Sequence, residues 1–141
     1  MVNDNLKLTG ALTIALNDEV VQKIDNLVVT AGKNYVASRM KDTTKAAMSH
    51  MAVGTGTTAA AAGQTTLVSE NDRNALTSQT VTNNAIAYVA TWAAGDATAA
   101  LTEAAIFNAS SGGDMLCRTV FSVVNKASAD SMTITWTVTV S

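Results

Sequence analysis

The clearest pattern in the chain is the alternation of residues 132–140, MTITWTVTV. Met132, Ile134, Trp136, Val138 and Val140 occupy every second position, and threonine fills each position between them. Successive side chains of a strand point to opposite faces of its sheet. The segment therefore predicts a strand with an apolar face on the core and a threonine face outside.

The N-terminal region carries the same alternation. In LKLTGALTIAL, Leu12 and Ile14 lie on one side of the predicted strand and Thr13 on the other. Asn17-Asp18 then predicts a turn. Residues 1–17 are expected to form a first strand or an N-terminal arm.

Two later turns each separate a pair of extended runs. NALTSQTV and AIAYVATW flank Asn83-Asn84, a dipeptide that tolerates the positive φ angles of a tight hairpin. The Gly112-Gly113-Asp114 segment separates two further runs and supplies left-handed positions at low steric cost. Both patterns predict β-hairpins.

One helix is expected. Thr30 can cap it, and Val36 and Met40 share a face at the i, i+4 spacing. A predicted strand ends at Gly54, and GTGTTAAAAGQTTL follows as a long loop of small residues. Its length marks it as a candidate interaction loop.

These elements indicate a mainly β fold. About seven short strands with regular turn signals predict an antiparallel β-sandwich or barrel-like domain with one short α-helix. The length of 141 residues suits a single domain over residues 1–141. The sequence contains no proline, so edge strands need other protection, such as pairing with a neighbouring subunit.

Composition favours a protein-docking surface. Only 14% of the residues are charged, against a typical share of roughly 25%. The net charge of −2 argues against nucleic-acid binding, and the basic residues Lys33, Arg39, Lys41 and Lys45 are explained as a solvated helix face. Neither a secretion leader nor a long apolar run is seen, so no membrane association is expected.

Candidate chemistry is sparse. His50 is the only histidine, which excludes a multi-histidine metal site. The Gly54–Thr58 segment lacks the lysine of a P-loop and is interpreted as a tight turn. Cys117 cannot form an internal disulfide and is expected to act as a small buried hydrophobe. No metal and no cofactor are expected.

Four acidic residues are candidate general acids or bases: Glu70, Asp72, Asp96 and Glu103. Their spacing places no two of them together on one element, and Arg73 favours a structural ion pair instead. Trp92 and Trp136 point inward by the alternation, which disfavours a carbohydrate-binding surface. The chain is accordingly predicted not to be an enzyme.

Several motifs together resemble small structural proteins of tailed-bacteriophage virions. They are a GTGTT loop, a TTL…E…R segment, a TEAAIFNA strand, a Gly-Gly turn and a closing TITW strand, within roughly residues 27–141. Such proteins are described as virion, tail-fibre, tail-collar or capsid decoration proteins. The resemblance implies a β-rich domain that oligomerises on a larger particle, with no cofactor and no reaction.

A capsid decoration (cement) protein that stabilises the major capsid protein shell is the favoured expectation, because the chain ends after its last strand without a fibre shaft. The alternative is a small tail, baseplate or fibre-adaptor protein. Expected partners are the major capsid protein or tail proteins of the same virion, and further copies of the chain, with a trimer favoured. The protein would be made in the host bacterial cytoplasm and reside in the virion. The capsid exterior is the favoured location, and the tail is the alternative.

Three segments are the predicted contact elements: the N-terminal arm, the long loop and the threonine side of the last strand. Their candidate contact residues are Leu12, Ile14, Gly54, Thr55, Gly56, Thr57, Thr58, Gln64, Thr133, Thr135 and Thr137.

Overall fold

The computed structural model describes residues 6–41 and 45–141, so the part of the predicted arm before Leu6 lies outside the described residues. Within these ranges the chain forms ten strands and one helix. They are β1 (Leu8–Leu16), β2 (Glu19–Asp25), β3 (Leu27–Val28), α1 (Thr30–Lys41), β4 (His50–Gly54), β5 (Glu70–Ala75), β6 (Ser78–Thr82), β7 (Ala85–Trp92), β8 (Ala99–Phe107), β9 (Met115–Lys126) and β10 (Met132–Val140).

The strands form two antiparallel five-stranded sheets. Sheet A has the order β2-β1-β10-β7-β6, and sheet B has the order β3-β9-β8-β4-β5. The predicted mainly β, antiparallel sandwich-like fold with one helix is confirmed. β10 lies at the centre of sheet A, where it pairs with β1 from Leu8↔Val140 to Leu16↔Met132 and with β7 on its other side.

The core lies between the inner faces of the two sheets. The alternation of β10 sets its orientation, because Ile134 and Trp136 are fully buried while the threonines between them face outward. Trp92 of the neighbouring strand is also fully buried, so the inward orientation predicted for both tryptophans is confirmed. Burying two large aromatic side chains contributes strongly to the hydrophobic stabilisation of the sandwich.

The predicted turn residues adopt the conformations that tight turns require. Asn17 and Asp18 have φ angles of 51° and 65°, as in a type I′ hairpin, and they join β1 to β2. Asn83 has a φ of 53° between β6 and β7. Gly112 and Gly113, between β8 and β9, have φ angles of 59° and 76°.

The prediction of one strand over NALTSQTV was wrong. Asn74 and Ala75 end β5 in sheet B, whereas Ser78 begins β6 in sheet A. The chain crosses between the sheets at Leu76 and Thr77, whose N–H groups donate to the carbonyl oxygens of Ser49 and Val89, at 2.9 and 2.7 Å. Residues on both sides of the crossing are extended, so their pattern resembles one continuous strand.

The helix begins at Thr30 as predicted, but its buried face is different. Gly32 and Tyr35 are buried, and Val36 packs against the core from a half-buried position. Met40, one turn beyond Val36, is 81% exposed, so only the Val36 end of the predicted shared face contacts the core. The first turns of the helix approach β9 closely, since a Cβ at Gly32 would overlap the backbone of Leu116.

Candidate protein-docking surfaces

The outer side of sheet A presents a broad surface of short side chains, which we call the threonine face. We define it by the outward-facing residues of β1, β10, β7 and β6. They are Thr9, Ala11, Thr13, Ala15, Thr133, Thr135, Thr137, Thr139, Ala85, Ala87, Val89, Thr91, Ser78, Thr80 and Thr82.

None of these residues is charged, and each is Thr, Ala, Ser or Val. The charges nearest in the register, Lys23 and Asp25, lie on β2 at one edge of the sheet. Short side chains lose little rotamer freedom when a partner covers them. Hydroxyl groups can form hydrogen bonds with a partner, as the Thr91 and Thr133 hydroxyls already do with each other at 3.1 Å.

The structure sorts the predicted contact residues of the sheet into two groups. Thr133, Thr135 and Thr137 lie on the threonine face, half-buried or exposed. Leu12 and Ile14 are a correction, because they are 1% and 0% exposed and pack in the core between the sheets. They are the inward positions of β1, so they offer no surface to a partner while the domain is folded.

The long loop between β4 and β5, residues 55–69, covers the outer side of sheet B. Leu67 of this loop is buried in a second apolar cluster on that side. The other buried members of the cluster are Val29, Ala52, Ala105, Phe107 and Met115. Gly56 and Leu67 therefore fix the loop to the packed interior, while most of its other residues are exposed to solvent.

Glu103 of β8 anchors this loop. Its Oε2 accepts hydrogen bonds from the backbone N–H groups of Gly56 and Ser69, at 2.8 and 2.7 Å. Its Oε1 accepts one from the N–H of Val68 at 2.9 Å. The side chain is fully buried, so the carboxylate replaces the water that these three donors would otherwise bind.

Arg118 of β9 neutralises Glu103. Its Nη2 lies 2.8 Å from Glu103 Oε1, and both side chains are 0% exposed. Arg118 Nη1 donates to Gln64 Oε1 at 2.9 Å, which ties a second point of the loop to the ion pair. Gln64, predicted as a contact residue, is half-buried, and this oxygen is already used within the protein.

Burial of Glu103 opposes its ionised form and by itself raises the pKa. The hydrogen bonds from Arg118 and from the backbone of Val68, Ser69 and Gly56 favour the carboxylate and together outweigh burial. The net result is a pKa below the usual value of 4.5. The anchor is therefore ionised at neutral pH.

The two glycines of the loop motif are required by this anchor. A Cβ on Gly54 would overlap the Ser69 carbonyl oxygen, and one on Gly56 would lie 2.5 Å from Glu103 Oε2. Both glycines are buried, which corrects their prediction as contact residues. Thr55, Thr57 and Thr58 are exposed, so these predicted contacts remain accessible.

Three further candidates, Arg73, Cys117 and His50, have contacts within the domain. Arg73 pairs with Glu70 at 2.7 Å, which confirms the predicted structural ion pair, and its guanidinium lies 3.7 Å from the Phe107 ring centroid. Cys117 is fully buried, as predicted, and burial raises the pKa of its thiol. His50 Nδ1 lies 2.7 Å from the hydroxyl of Ser49.

Among residues 6–41 and 45–141, no group of three or more His, Cys, Asp or Glu side chains is placed to hold a metal ion. No helix in the same ranges is both long enough and apolar enough to cross a membrane.

The predicted contact residues Thr133, Thr135 and Thr137 all belong to β10, so most of the threonine face was not predicted. The alternation of Thr9 and Thr13 on β1, and of Thr80 and Thr82 on β6, repeats the pattern of β10. Those signals become one surface only when the strand order is known.

No protein-family model matches the chain, and comparisons with curated proteins and with solved structures found no match either.

Proposed function

We propose that this chain is a non-catalytic structural protein of a tailed-bacteriophage virion, and that it acts as a capsid decoration protein on the outside of the major capsid protein shell. The observation that carries the proposal is the uncharged threonine face, which offers an ordered sheet surface to a protein partner. The motifs of the GTGTT loop and the TEAAIFNA strand supply the link to phage structural proteins.

The size of the face suits binding in many copies. Strands are spaced ~4.8 Å apart and rise ~3.3 Å per residue, so the four strands present roughly 20 Å by 25 Å. That area is small for a stable isolated complex. A shell that presents the same site many times compensates for the small area of each contact, because each bound copy adds its own contact between capsid subunits.

The threonine face has the composition that such a contact needs. Charged residues are depleted at the centres of protein interfaces, since an unpaired buried charge is costly. At the centre of this face, Thr135 lies between Thr13 of β1 and Val89 of β7. A capsid surface can therefore cover these positions without desolvating a charge.

Copy number in purified virions tests the location. We expect copies in the hundreds per particle, spread over the whole shell, when virions are quantified by mass spectrometry and imaged by electron microscopy. Copies confined to the tail or to one vertex would refute decoration and favour the tail, baseplate or fibre-adaptor alternative. Absence from the virion would refute the structural role.

A binding experiment tests the face itself. Purified protein is added to capsids that lack it, and bound protein is measured by co-sedimentation. Thr135→Lys at the centre of the face should abolish binding, because the ammonium group would be buried without a partner. The matched control is Ser110→Lys, which places the same charge on an exposed turn outside the threonine face. Equal binding by both variants would show that another surface docks.

A further inference from the structure

Three of the four edge strands in the described sheets carry features that discourage pairing with another chain. β2 contains Glu19, Lys23 and Asp25, and its register shifts opposite Ile14 and Ala15. β5 contains Glu70, Asp72 and Arg73 and also has a register shift. β3 is only two residues long. Charges, irregularities and shortness are the usual means by which proteins protect sheet edges.

The fourth edge, β6, has none of these features. Its sequence is SQTVT, with no charge and no proline, and it pairs with β7 without a register shift. All five residues are exposed, and Val81 is 71% exposed. A regular, uncharged edge with exposed backbone groups is a template for one more strand.

We infer that β6 pairs antiparallel with β6 of a second copy of this chain, so that two copies of sheet A join into one ten-stranded sheet. The two-fold axis passes beside Thr80. Each Thr80 then faces the Thr80 of the second copy, and each Gln79 faces the other copy's Val81. The inference goes beyond docking on a capsid, because it uses the edge of the sheet and holds for the isolated protein.

The unpaired backbone N–H and C=O groups of β6 lie at the positions that this contact requires. Asn83 and Asn84 form a two-residue turn, so Thr82 and Thr80 direct their N–H and C=O groups towards β7. The groups of Gln79 and Val81 consequently point to the free edge. In the two-fold arrangement these two residues exchange four backbone hydrogen bonds with the second copy.

Charge explains why β6, and not β2, pairs with itself. The five residues of β6 carry no charge, so pairing β6 with itself places no like charges opposite each other. The same two-fold pairing of β2 about Gln22 would set Glu19 opposite Asp25 twice. Like charges directly opposite each other destabilise a strand pair.

An apolar cavity beside β6 supports the same contact. It has a volume of about 290 Å³, opens to solvent, and is lined in part by Val81, Ile86, Tyr88 and Val138. Val81 lines this cavity where it meets the edge strand β6, and its side chain is on the inner side of sheet A. The second strand would cover Val81 and remove apolar surface from water, which adds hydrophobic stabilisation to the backbone hydrogen bonds.

The expected assembly is a dimer, in place of the trimer favoured from the sequence, because a two-fold contact closes after two copies. Sedimentation velocity of the full chain over a range of concentrations should show the mass rising from 14.5 kDa towards twice that value. The contact is small, so the transition should depend on concentration.

Three variants test the register. Thr80→Lys places two ammonium groups opposite each other and should weaken dimerisation by up to about fivefold. Thr80→Glu should do the same, and mixing the two variants should restore a dimer, because opposite charges then face each other. Thr135→Lys, on the same face but at the centre of the sheet, should leave the dimer unchanged.

A wild-type chain that stays monomeric at every concentration would overturn the inference. A trimer that Thr80→Lys does not affect would overturn it as well. Failure of the mixed variants to associate would overturn pairing about Thr80, and loss of the dimer in Thr135→Lys would assign self-association to the threonine face. Thermal unfolding of each variant checks folding, which we expect to be retained because Thr80 and Thr135 are exposed.

Discussion

Glu103 and Arg118 form a fully buried ion pair between β8 and β9, with Oε1 and Nη2 2.8 Å apart. The loop of residues 55–69 closes over them through Gly56 and Ser69. Removing two charges from water is costly, and hydrogen bonds to the remaining lone pairs offset that cost only when the geometry is favourable. We interpret the pair as a device that specifies one conformation of the loop.

Glu103→Gln should therefore be strongly destabilising. The substituted amide would turn an NH2 group towards backbone N–H donors and would leave Arg118 buried without a counter-charge. We expect a loss of about 3–5 kcal/mol in the free energy of unfolding, measured with urea at neutral pH. The control is Glu70→Gln in the partly exposed pair with Arg73, for which a loss below about 1 kcal/mol is expected. Similar losses in the two variants would contradict this role of the buried pair.

The carboxylate of Glu103 makes the free energy of unfolding depend on pH in the acid range. The pKa of Glu103 is lower in the folded protein than its usual value of 4.5, so its stabilising effect is complete above that value. The stabilisation is lost as the pH falls through the lower, folded-state pKa. Wild type should lose free energy of unfolding between neutral pH and acid pH more steeply than Glu103→Gln. Parallel pH profiles of the two proteins would refute this linkage.

Two glycines of the loop should respond differently to alanine. A Cβ on Gly56 meets Glu103 Oε2 at 2.5 Å and Val68 Cβ at 2.7 Å, whereas one on Gly63 meets nothing within 4 Å. Gly56→Ala should cost about 1–3 kcal/mol through overpacking. Gly63→Ala should be neutral or slightly stabilising, since it reduces the freedom of the unfolded chain. Thermal unfolding of both variants tests this, and a neutral Gly56→Ala would show that the loop can shift away from Glu103.

The thiol of Cys117 should be unreactive in the native protein. It is fully buried, and burial raises its pKa, so little of the nucleophilic thiolate forms. We expect thiol reagents to label Cys117 only at the rate of unfolding, and fully in denaturant. Cys117→Ala provides the unlabelled control. Rapid labelling under native conditions would show that β9 opens locally.

Much of the fold follows from local patterns. The alternation of β10 predicted which face of that strand is buried, because a strand has only two faces and Trp136 and Ile134 share one. The turns at Asn17-Asp18 and at the glycine pair followed from residue types that tolerate positive φ. In these cases a few neighbouring residues determine the outcome.

The buried pair could not be predicted in the same way. Glu103 and Arg118 belong to separate strands, and their partners Gly56, Val68 and Gln64 lie far away in the sequence. A signal was present, since each charge interrupts an otherwise apolar strand, where an unpaired charge would be costly. The partner of each charge becomes visible only when the order of sheet B is known.

The position of β10 in sheet A also has a consequence for folding. This strand separates β1 from β7, so sheet A is divided into two unconnected pairs of strands until residues 132–140 are in place. Its pairing with β1 joins Leu8 to Val140, two residues at opposite ends of the described chain. Contacts of such long sequence separation slow the search for the native topology. A fragment that stops before Met132 should therefore keep its hairpins without a closed sheet A, and should expose Trp92 and the other core residues that β10 covers.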